Sequence, residues 1–255
     1  MTSLRLQINQ LLRTSKAPRI RMSKTNIWAI LPAAGVGKRT GADIPKQYLS
    51  LNGRPLIEWT LNRLLEMDEI VRIVVVVSAN DSYWRDLNIS RHSRILQADG
   101  GSERCYSVLN GLRALQGQAD ADDWVLVHDA ARPCVRTRDI QLLVAAAIAA
   151  GKGGILAMRV RDTMKISNDN NEIESTINRD SLWHALTPQL FRYGELNNAL
   201  QQALDDGFEV TDEASAMEHA GQQPLLVEAA SDNIKVTLPE DLALADFFLR
   251  KQDSE

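Results

Sequence analysis

The sequence lacks several features that would assign a protein to a class at first sight. Its two cysteines, Cys105 and Cys134, are too few for a disulfide framework and do not have metal-ligand spacing, so we expect buried thiols in a reducing compartment. No apolar run approaches the ~20 residues that span a bilayer, so we predict no membrane segment and no membrane partner. A net charge of -4 gives no general attraction to nucleic acid. These absences favour chemistry on a small molecule.

Acidic residues are absent from residues 1–26, a segment that carries six basic residues. Such a composition is typical of an organelle transit peptide, and also of a disordered leader or of a start codon placed too far upstream. We expect a disordered basic leader followed by one domain over residues 27–252, since this length fits a single large α/β domain. A short leader on a compact chain favours a bacterial cytoplasmic enzyme over a plastid one.

From Ile27 onward, short apolar runs alternate with longer amphipathic segments, which indicates βαβ units and a mainly parallel sheet. The run from Ile70 to Val77 is apolar except for one arginine, so we predict a strand that is buried on both faces near the sheet centre. We expect Gly151 to cap a helix and Pro239 to lie in the first turn of the last helix. The other apolar runs predict strands at 27–31, 124–128, 153–160, 224–229 and 233–236, and helices at 55–67, 138–150 and 238–251.

Residues 161–183 interrupt this rhythm with a polar turn cluster between two moderately β-prone flanks. They predict a protruding β-hairpin arm. An arm with little core of its own either packs on a second subunit or remains a solvent-exposed insertion, and the residues alone leave both open. Dimerisation through the arm is therefore a hypothesis.

The segment "ILPAAGVGKRTGADIPKQY" at residues 30–48 approaches two familiar phosphate loops without matching either. A dinucleotide loop needs a third glycine where Thr40 stands, and a P-loop needs a glycine at Pro32 and a hydroxyl at Arg39. Its small residues still let backbone N–H groups approach a ligand, while Arg39 and Lys46 supply positive charge. A nucleoside triphosphate suits such a loop, and an ordinary strand-to-helix turn is the alternative.

Two further clusters fall at the ends of predicted strands. The segment "DGGSERCYS" at 99–107 is a glycine-rich strand-to-helix turn, whose helix N-terminus suits an anion or a base edge. Asp129 follows a strand, at the edge where open α/β sheets bind ligands. A carboxylate there suits Mg²⁺, a ribose hydroxyl or a helix cap.

Two histidines and one acidic segment have simpler interpretations. His128 and His184 lie on apolar runs, which indicates structural histidines rather than acid-base groups. The segment "TDEASAME" at 211–218 predicts the start of a helix with acidic residues at the end that the helix dipole favours.

Eight segments occur in order over roughly residues 27 to 250: "LPAAGVGKR", "PKQY", "DGGSER", "VHDAARP", "VRDTMK", "NRDSLWHALTPQ", "TDEASAME" and "DNIKVTLPEDLALAD". Together they resemble the motif series of the 2-C-methyl-D-erythritol 4-phosphate cytidylyltransferase family. The resemblance implies transfer of CMP from CTP to 2-C-methyl-D-erythritol 4-phosphate, which gives 4-diphosphocytidyl-2-C-methyl-D-erythritol and pyrophosphate in isoprenoid precursor biosynthesis.

The resemblance also implies a Rossmann-like nucleotidyltransferase fold, Mg²⁺ as the cofactor, and a homodimer in which the arm embraces the neighbouring subunit. The attacking phosphate is already anionic at neutral pH, so a Ser-His-Asp arrangement is not needed. Catalysis then rests on positioning and on charge neutralisation around the α-phosphorus.

The family pattern assigns roles to individual residues of this sequence. Arg39 and Lys46 would stabilise the transition state, and Arg179 and Lys235 would place the attacking phosphate. Asp129 would lie near Mg²⁺ and the sugar. The nucleotide would contact Pro32, Ala33, Ala34, Gly35, Gly37, Gly101, Ser102, Arg104, Ser107, Asp129 and Ala130, and the substrate would contact Arg132, Thr163, Arg179, Thr187, Thr211 and Lys235.

Three alternative functions fit the sequence less well. A sister cytidylyltransferase acting on ribitol 5-phosphate shares the fold, but the match at "VRDTMK" and "LWHALTPQ" favours methylerythritol phosphate. A dinucleotide-dependent oxidoreductase is disfavoured by the missing third glycine. A catalytically silent nucleotide-binding regulator is disfavoured because it has no need of both Arg39 and Lys46.

Overall fold

The structure, a computed structural model, describes residues 26–35 and 44–255. The predictions about the basic leader, Gly37 and Arg39 therefore fall outside the described residues, apart from Asn26. The strands are β1 (Ile27–Pro32), β2 (Ser50–Leu51), β3 (Arg54–Pro55), β4 (Ile70–Val77), β5 (Ile95–Asp99), β6 (Trp124–Val127), β7 (Gly154–Arg159), β8 (Met164–Ser167), β9 (Ile173–Ile177), β10 (Trp183–Arg192) and β11 (Leu225–Glu228). The α-helices are α1 (Leu56–Leu65), α2 (Arg104–Ala114), α3 (Thr137–Ala150), α4 (Tyr193–Asp205), α5 (Glu213–His219) and α6 (Asp241–Asp253).

The main sheet has seven strands in the order β11-β7-β10-β6-β1-β4-β5. All of its strands are parallel except β10, which runs antiparallel to both β6 and β7. The predicted α/β fold with a mainly parallel sheet is confirmed. Because β10 runs against its neighbours, its first half reaches the carboxyl ends of those two strands.

Strand β1 shows how the sheet divides the core. Ile27, Ala29 and Leu31 pack on one face with α1 and α3, whereas Trp28 and Ile30 pack on the other face with α2, α4 and α5. Successive side chains of a strand point to opposite faces, so a strand covered by helices on both sides is apolar throughout. This double cover explains why the strands read as continuous apolar runs.

The predicted position of the strand at residues 70–77 is wrong, although its burial on both faces is confirmed. Strand β4 is next to the edge of the sheet, between β1 and the edge strand β5. Ile73, Val75 and Val77 pack on one face and Val74 and Val76 on the other. Helices cover both faces even beside the edge, so an apolar run does not distinguish this place from the centre.

The strand predicted at residues 233–236 is also wrong. The segment joins no sheet, and Val236 N–H donates at 2.8 Å to the carbonyl of Ala131 in the loop after β6. The Asn233 side chain meanwhile donates to the carbonyl of Thr187 at 2.8 Å. The segment therefore crosses the carboxyl ends of the strands instead of extending the sheet.

The last helix begins later than predicted. Helix α6 starts at Asp241, whose carboxylate accepts hydrogen bonds from the N–H groups of Thr237 and Leu238. These bonds close a turn ahead of the helix, and Pro239 lies in that turn rather than in the first helical turn. By contrast, the prediction that Gly151 caps α3 is confirmed, with a left-handed φ of 65°.

The predicted arm is confirmed as a hairpin, because β8 and β9 pair with each other in a separate two-stranded antiparallel sheet. Its strands are exposed almost throughout. The thiols of Cys105 and Cys134 are free and buried, as predicted. Among the described residues, no helix is both long and apolar enough to cross a membrane.

Candidate active site

A cleft of about 240 Å³ lies at the carboxyl ends of β1, β5 and β6. It gathers residues that are far apart in the sequence, because parallel strands end at the same edge of a sheet. Its lining includes Gln47, Glu103 and Ala131, which the sequence did not predict. The predicted residues that line it are Pro32, Ala33, Ala34, Gly35, Lys46, Gly101, Ser102, Arg104, Ser107, Asp129, Ala130 and Lys235.

Two loops meet closely on one side of the cleft. Ala33 N–H donates to the carbonyl of Val76 at 2.7 Å, and Gly100 N–H donates to the carbonyl of Val77 at 2.7 Å. Both loops are thus anchored to the end of β4. A Cβ added at Gly100 would lie 2.2 Å from the Cβ of Ala34, so only glycine permits this approach.

The segment that carries Lys46 is tied to the same loop. Lys46, Gln47 and Tyr48 form a short 3₁₀ helix, and the buried Gln47 side chain donates to the carbonyl of Ala33 at 2.6 Å. The Tyr48 hydroxyl donates to Asp81 at 2.8 Å. Lys46 therefore reaches the cleft from a segment whose next two residues are held by side-chain hydrogen bonds.

Ser107 shapes the turn between β5 and α2. Its hydroxyl accepts a hydrogen bond from Gly101 N–H and donates to the carbonyl of Glu103, each at 3.1 Å. The serine is buried, and it closes the glycine-rich turn over the first residues of the helix. Backbone groups of this turn are thereby held at the cleft surface.

Asp129 lies at the centre of a cluster of cations. Its Oδ1 is 3.1 Å from Nε of Arg104, and its Oδ2 is 2.9 Å from Nζ of Lys235 and 3.5 Å from Nε of Arg132. Burial by itself raises the pKa of Asp129, but the charges of Arg104, Lys235 and Arg132 outweigh it. They hold the pKa of this carboxyl well below its usual range, so Asp129 is an anion throughout the neutral range.

Arg104 joins Asp129 to a second carboxylate. Its Nη1 and Nη2 atoms contact the two carboxylate oxygens of Glu213 at 2.6 and 3.0 Å. Burial lowers the pKa of Arg104, but the charges of Glu213 and Asp129 raise it above its usual value. The guanidinium is therefore held between two anions in the wall of the cleft.

Glu213 is the residue of this cluster that the sequence did not predict. We interpreted the acidic residues at the start of α5 only as favourable for the helix dipole, whereas Glu213 is fully buried. The helix does begin where predicted, with Asp212 as the N-cap in a capping box with Ser215. The available signal was the apolar spacing of Ala216 and Met217, which turns Glu213 toward the core, where a carboxylate needs a cation.

A buried layer supports Asp129 from behind. Thr187 accepts a hydrogen bond from Asp129 N–H at 3.1 Å, and its hydroxyl lies 2.9 Å from Nδ1 of His128. Arg132 donates through Nη1 to the carbonyl of Asn233 at 2.8 Å. The structure thus places Thr187 and Arg132 beneath the cleft, in contact with groups of the protein.

His128 is fully buried and hydrogen-bonded, which confirms the prediction of a structural histidine. Burial is the main cause that lowers its pKa to about 4, and the nearby Asp129 offsets only part of this effect. His184 is exposed on β10, and its structural role stays a prediction.

Besides Arg132 and Thr187, three more predicted substrate residues do not line the described cleft. Thr163 and Arg179 are exposed at the base of the arm, where Arg179 donates to the carbonyl of Arg161 at 2.6 Å. Thr211 is exposed before α5, and its N–H donates to the Ser215 hydroxyl at 3.1 Å. Their roles stay predictions, as do those of the residues in the cleft.

A metal ion at this site would be held by Asp129 together with the phosphates of a bound substrate. The described part of the chain has no group of three or more His, Cys, Asp or Glu residues that could hold an ion. Mg²⁺ is usually bound by one or two carboxylates together with substrate phosphates and water. An ionised Asp129 beside the cleft fits that donor set, although an ion there would displace the Lys235 ammonium or the Arg104 guanidinium.

Comparison with known protein families shows which family the chain belongs to. A family model described as "IspD: 2-C-methyl-D-erythritol 4-phosphate cytidylyltransferase" matches residues 27–251. The chain belongs to the IspD family. The match runs from the first residue of β1 to within α6, so it includes the whole main sheet, the arm and the cleft.

Individual IspD proteins resemble the chain over nearly their full length. The 2-C-methyl-D-erythritol 4-phosphate cytidylyltransferase of Vibrio vulnificus (strain CMCP6) is 51% identical over 230 residues, which are 90% of this chain and 97% of the relative. The one of Colwellia psychrerythraea is 48% identical over 231 residues, covering 88% of this chain and 94% of the relative. The resemblance drawn from the motif series is therefore confirmed.

Solved IspD structures agree in fold. The crystal structure of the Francisella tularensis enzyme superposes with a TM-score of 0.77 at 37% identity, covering 88% of this chain and 100% of the other. The crystal structure of the Thermus thermophilus enzyme gives a TM-score of 0.73 at 28% identity, covering 88% and 99%. The predicted nucleotidyltransferase fold is confirmed.

Proposed function

We propose that this IspD family member transfers CMP from CTP to 2-C-methyl-D-erythritol 4-phosphate. The products are 4-diphosphocytidyl-2-C-methyl-D-erythritol and pyrophosphate. The observation that carries this function is the family match over residues 27–251, and the cleft chemistry supports it. Two glycine-containing loops, an ionised Asp129 and several cations converge there, as a nucleoside triphosphate requires.

In the proposed reaction, a phosphate oxygen of the methylerythritol phosphate attacks the α-phosphorus of CTP. The new P–O bond forms while the bond from the α-phosphorus to the bridging oxygen of the β-phosphate breaks, and pyrophosphate leaves. The attacking monoester is already anionic, so no side chain has to remove a proton. The buried, neutral His128 is not needed as a base.

The chain's own contribution is positioning and charge. Lys46 and Lys235 both line the cleft, and together with Arg39 they would neutralise charge that builds up around the α-phosphorus. Backbone N–H groups of the two loops would hold the triphosphate and the edge of cytosine. Asp129 would contact the ribose or the metal-bound triphosphate.

The proposed cofactor is Mg²⁺, held by Asp129 and by oxygens of the triphosphate. When bound, it neutralises phosphate charge. The low pKa of Asp129 supports this role, because a carboxylate that stays ionised is ready to accept a cation in place of Lys235.

The proposed assembly is a homodimer formed through the arm. Apolar side chains of the arm are exposed, including Met164, Ile166 and Ile173. Thr163 and Arg179 lie in or beside this arm, away from the described cleft of their own chain. An arm that reaches the cleft of a second subunit would bring both residues to the substrate. The relatives named above are bacterial, which supports a bacterial cytoplasmic enzyme.

The function is tested by measuring pyrophosphate release with CTP and 2-C-methyl-D-erythritol 4-phosphate. We expect release with this pair, and at least about 100-fold less with ATP, GTP or UTP, since a site that hydrogen-bonds a base edge rejects bases that leave its groups unpaired. Ribitol 5-phosphate is the discriminating acceptor. Release with ribitol 5-phosphate but not with methylerythritol phosphate would overturn the proposal. The relatives named above are named for methylerythritol phosphate, which favours that acceptor.

A further inference from the structure

Glu213 is a buried carboxylate to which the proposed reaction gives no direct role. It is 0% exposed, it does not line the cleft, and it contacts Arg104 through both of its oxygens. Burying an ion pair costs desolvation energy that offsets much of its attraction, so such a pair is a weak source of stability. Its main effect here is on where the guanidinium of Arg104 points.

Arg104 divides its donors between two anions. The outer fork, Nη1 and Nη2, is taken by Glu213 at 2.6 and 3.0 Å, and Nε faces Asp129 at 3.1 Å. A free guanidinium fork binds phosphate oxygens in pairs and more strongly than a single ammonium does. Because Glu213 occupies the fork, Arg104 lies in the cleft wall without presenting that fork to phosphates.

Glu213 is itself held firmly. Ala214 N–H donates to the Gln189 side-chain carbonyl at 2.8 Å, and the Gln189 amide donates to Asp212 at 2.8 Å. Gln189 is buried on β10, so these bonds fix the start of α5 to the sheet on both sides of Glu213. The carboxylate is therefore a fixed anchor that cannot follow the guanidinium into the cleft.

We propose that Glu213 is a positioning residue. By binding Nη1 and Nη2 of Arg104, it keeps Nε of that guanidinium on Asp129 and prevents Nη1 and Nη2 from binding the triphosphate or the pyrophosphate product. The proposal rests on the proposed function, since it names a task within the same cleft. With glutamine at position 213, one of the two hydrogen bonds to Arg104 is lost, because the NH₂ group of the amide faces an N–H donor of the guanidinium. The guanidinium keeps Asp129 as its remaining anion and turns the fork toward the cleft.

The test is Glu213→Gln, with pyrophosphate binding and transfer kinetics as readouts. We expect pyrophosphate to bind at least fivefold more tightly by isothermal titration calorimetry, and kcat to fall about tenfold. We expect KM for the methylerythritol phosphate to stay within twofold. Pyrophosphate affinity within twofold of wild type would overturn the proposal.

Two further variants separate positioning from general destabilisation. Arg104→Ala/Glu213→Gln should bind pyrophosphate no more tightly than Arg104→Ala, and a gain that persists without Arg104 would contradict the proposal. Met217→Ala, on the same helix and 1% exposed, should lower the melting temperature yet leave pyrophosphate affinity within twofold. If it tightens binding as Glu213→Gln does, the effect is structural and the proposal is wrong.

Glu213→Asp answers the question if the glutamine variant does not fold. The shorter aspartate side chain keeps the charge but reaches only one of the two Nη atoms of Arg104. We therefore expect pyrophosphate affinity to rise by about twofold to threefold, less than in Glu213→Gln. Unchanged affinity in this variant would also count against Glu213. Calorimetry does not depend on turnover, so a wild-type protein that fails to transfer CMP refutes the proposed function without deciding the role of Glu213.

Discussion

The backbone N–H of Asp129 donates to the hydroxyl of Thr187 at 3.1 Å, which ties the carboxylate residue of the cleft to the antiparallel strand β10. The same hydroxyl is 2.9 Å from Nδ1 of His128. The carbonyl of Arg132 can only accept, so its 3.2 Å contact with Nε2 places a proton on that nitrogen. In the neutral imidazole, Nδ1 then accepts from the Thr187 hydroxyl. The chain of hydrogen bonds fixes the loop after β6, and burial, which lowers the pKa of His128 to about 4, favours the neutral imidazole.

Replacing Thr187 with valine tests this chain directly. The variant keeps the shape of the side chain but leaves Asp129 N–H and the imidazole without their buried partner. We expect the free energy of unfolding to fall by about 1–3 kcal/mol, measured by denaturant titration. Thr187→Ser keeps the hydroxyl and should lose less. Equal losses in the two variants would show that the methyl group, not the hydroxyl, matters at this position.

His128 also predicts how stability depends on pH. Its pKa is lowered to about 4 in the folded protein, mainly by burial, whereas an unfolded histidine has a pKa of about 6.5. The unfolded state therefore takes up the proton first as the pH falls. We expect the free energy of unfolding to decrease between about pH 6.5 and pH 4, by at most ~1.4 kcal/mol per pH unit, and His128 to contribute no slope above that window.

The matched comparison is between a buried and an exposed histidine. His128→Gln should flatten the slope between pH 6.5 and pH 4, whereas His184→Gln, at an exposed position of β10, should keep the wild-type slope. Parallel curves for wild type and His128→Gln would contradict the assignment. At neutral pH His128→Gln is expected to be less stable than wild type because its hydrogen bonds to Thr187 and Arg132 change, and this difference should narrow as the pH falls toward 4.

The sequence predicts the fold well because most strands are covered on both faces and most helices on one, so their apolar patterns differ. It misplaces β4, since an apolar run records burial and not the order of strands. It also predicts a strand at residues 233–236, where none forms. The alternation of apolar and polar residues in this segment comes from contacts with two different parts of the protein. There, Asn233 and Lys235 contact groups of the site, while Val236 packs into a separate apolar cluster.

The candidate site is predictable only where local chain chemistry marks it. Glycines and lysines near strand ends indicate a phosphate site without any knowledge of the fold, and the cleft gathers them. Glu213 is different, because its partner Arg104 is 109 positions away. The spacing of Ala216 and Met217 indicates which way Glu213 faces but not which cation it meets, and only the contacts of α5 with α2 and β10 show that partner.

Gly100→Ala tests the contact between the two loops of the cleft. The added Cβ would lie 2.2 Å from the Cβ of Ala34, so the loops must separate. We expect a loss of about 1–3 kcal/mol in the free energy of unfolding and weaker CTP binding. At Gly35 an added Cβ meets no atom of the described residues within 4 Å, so Gly35→Ala should change stability by less than about 0.5 kcal/mol. Similar stability losses in both variants would argue against steric contact as the cause.

Lys46→Ala and Arg39→Ala test the proposed stabilisation of the transition state. If either cation acts at the α-phosphorus, its removal should lower kcat by about 10²–10³-fold, equivalent to ~3–4 kcal/mol, with the circular dichroism spectrum unchanged. Lys152→Ala, at an exposed position after α3, should keep wild-type turnover. Near-wild-type kcat in either cleft variant removes that residue from the catalytic set.

The arm provides the test of the proposed homodimer. Ile173 is 69% exposed on β9, a degree of exposure that leaves a large apolar side chain in water unless another surface covers it. We expect the wild-type protein to have a dimer mass by light scattering at micromolar concentration, and Ile173→Lys to shift it toward the monomer. Leu226→Lys, at an apolar side chain 50% exposed on β11, is the matched control and should leave the mass unchanged. If the arm completes the partner's cleft, the Ile173→Lys monomer should also lose transfer activity while it still binds CTP. A monomeric wild-type protein with full activity would contradict both the assembly and the shared site.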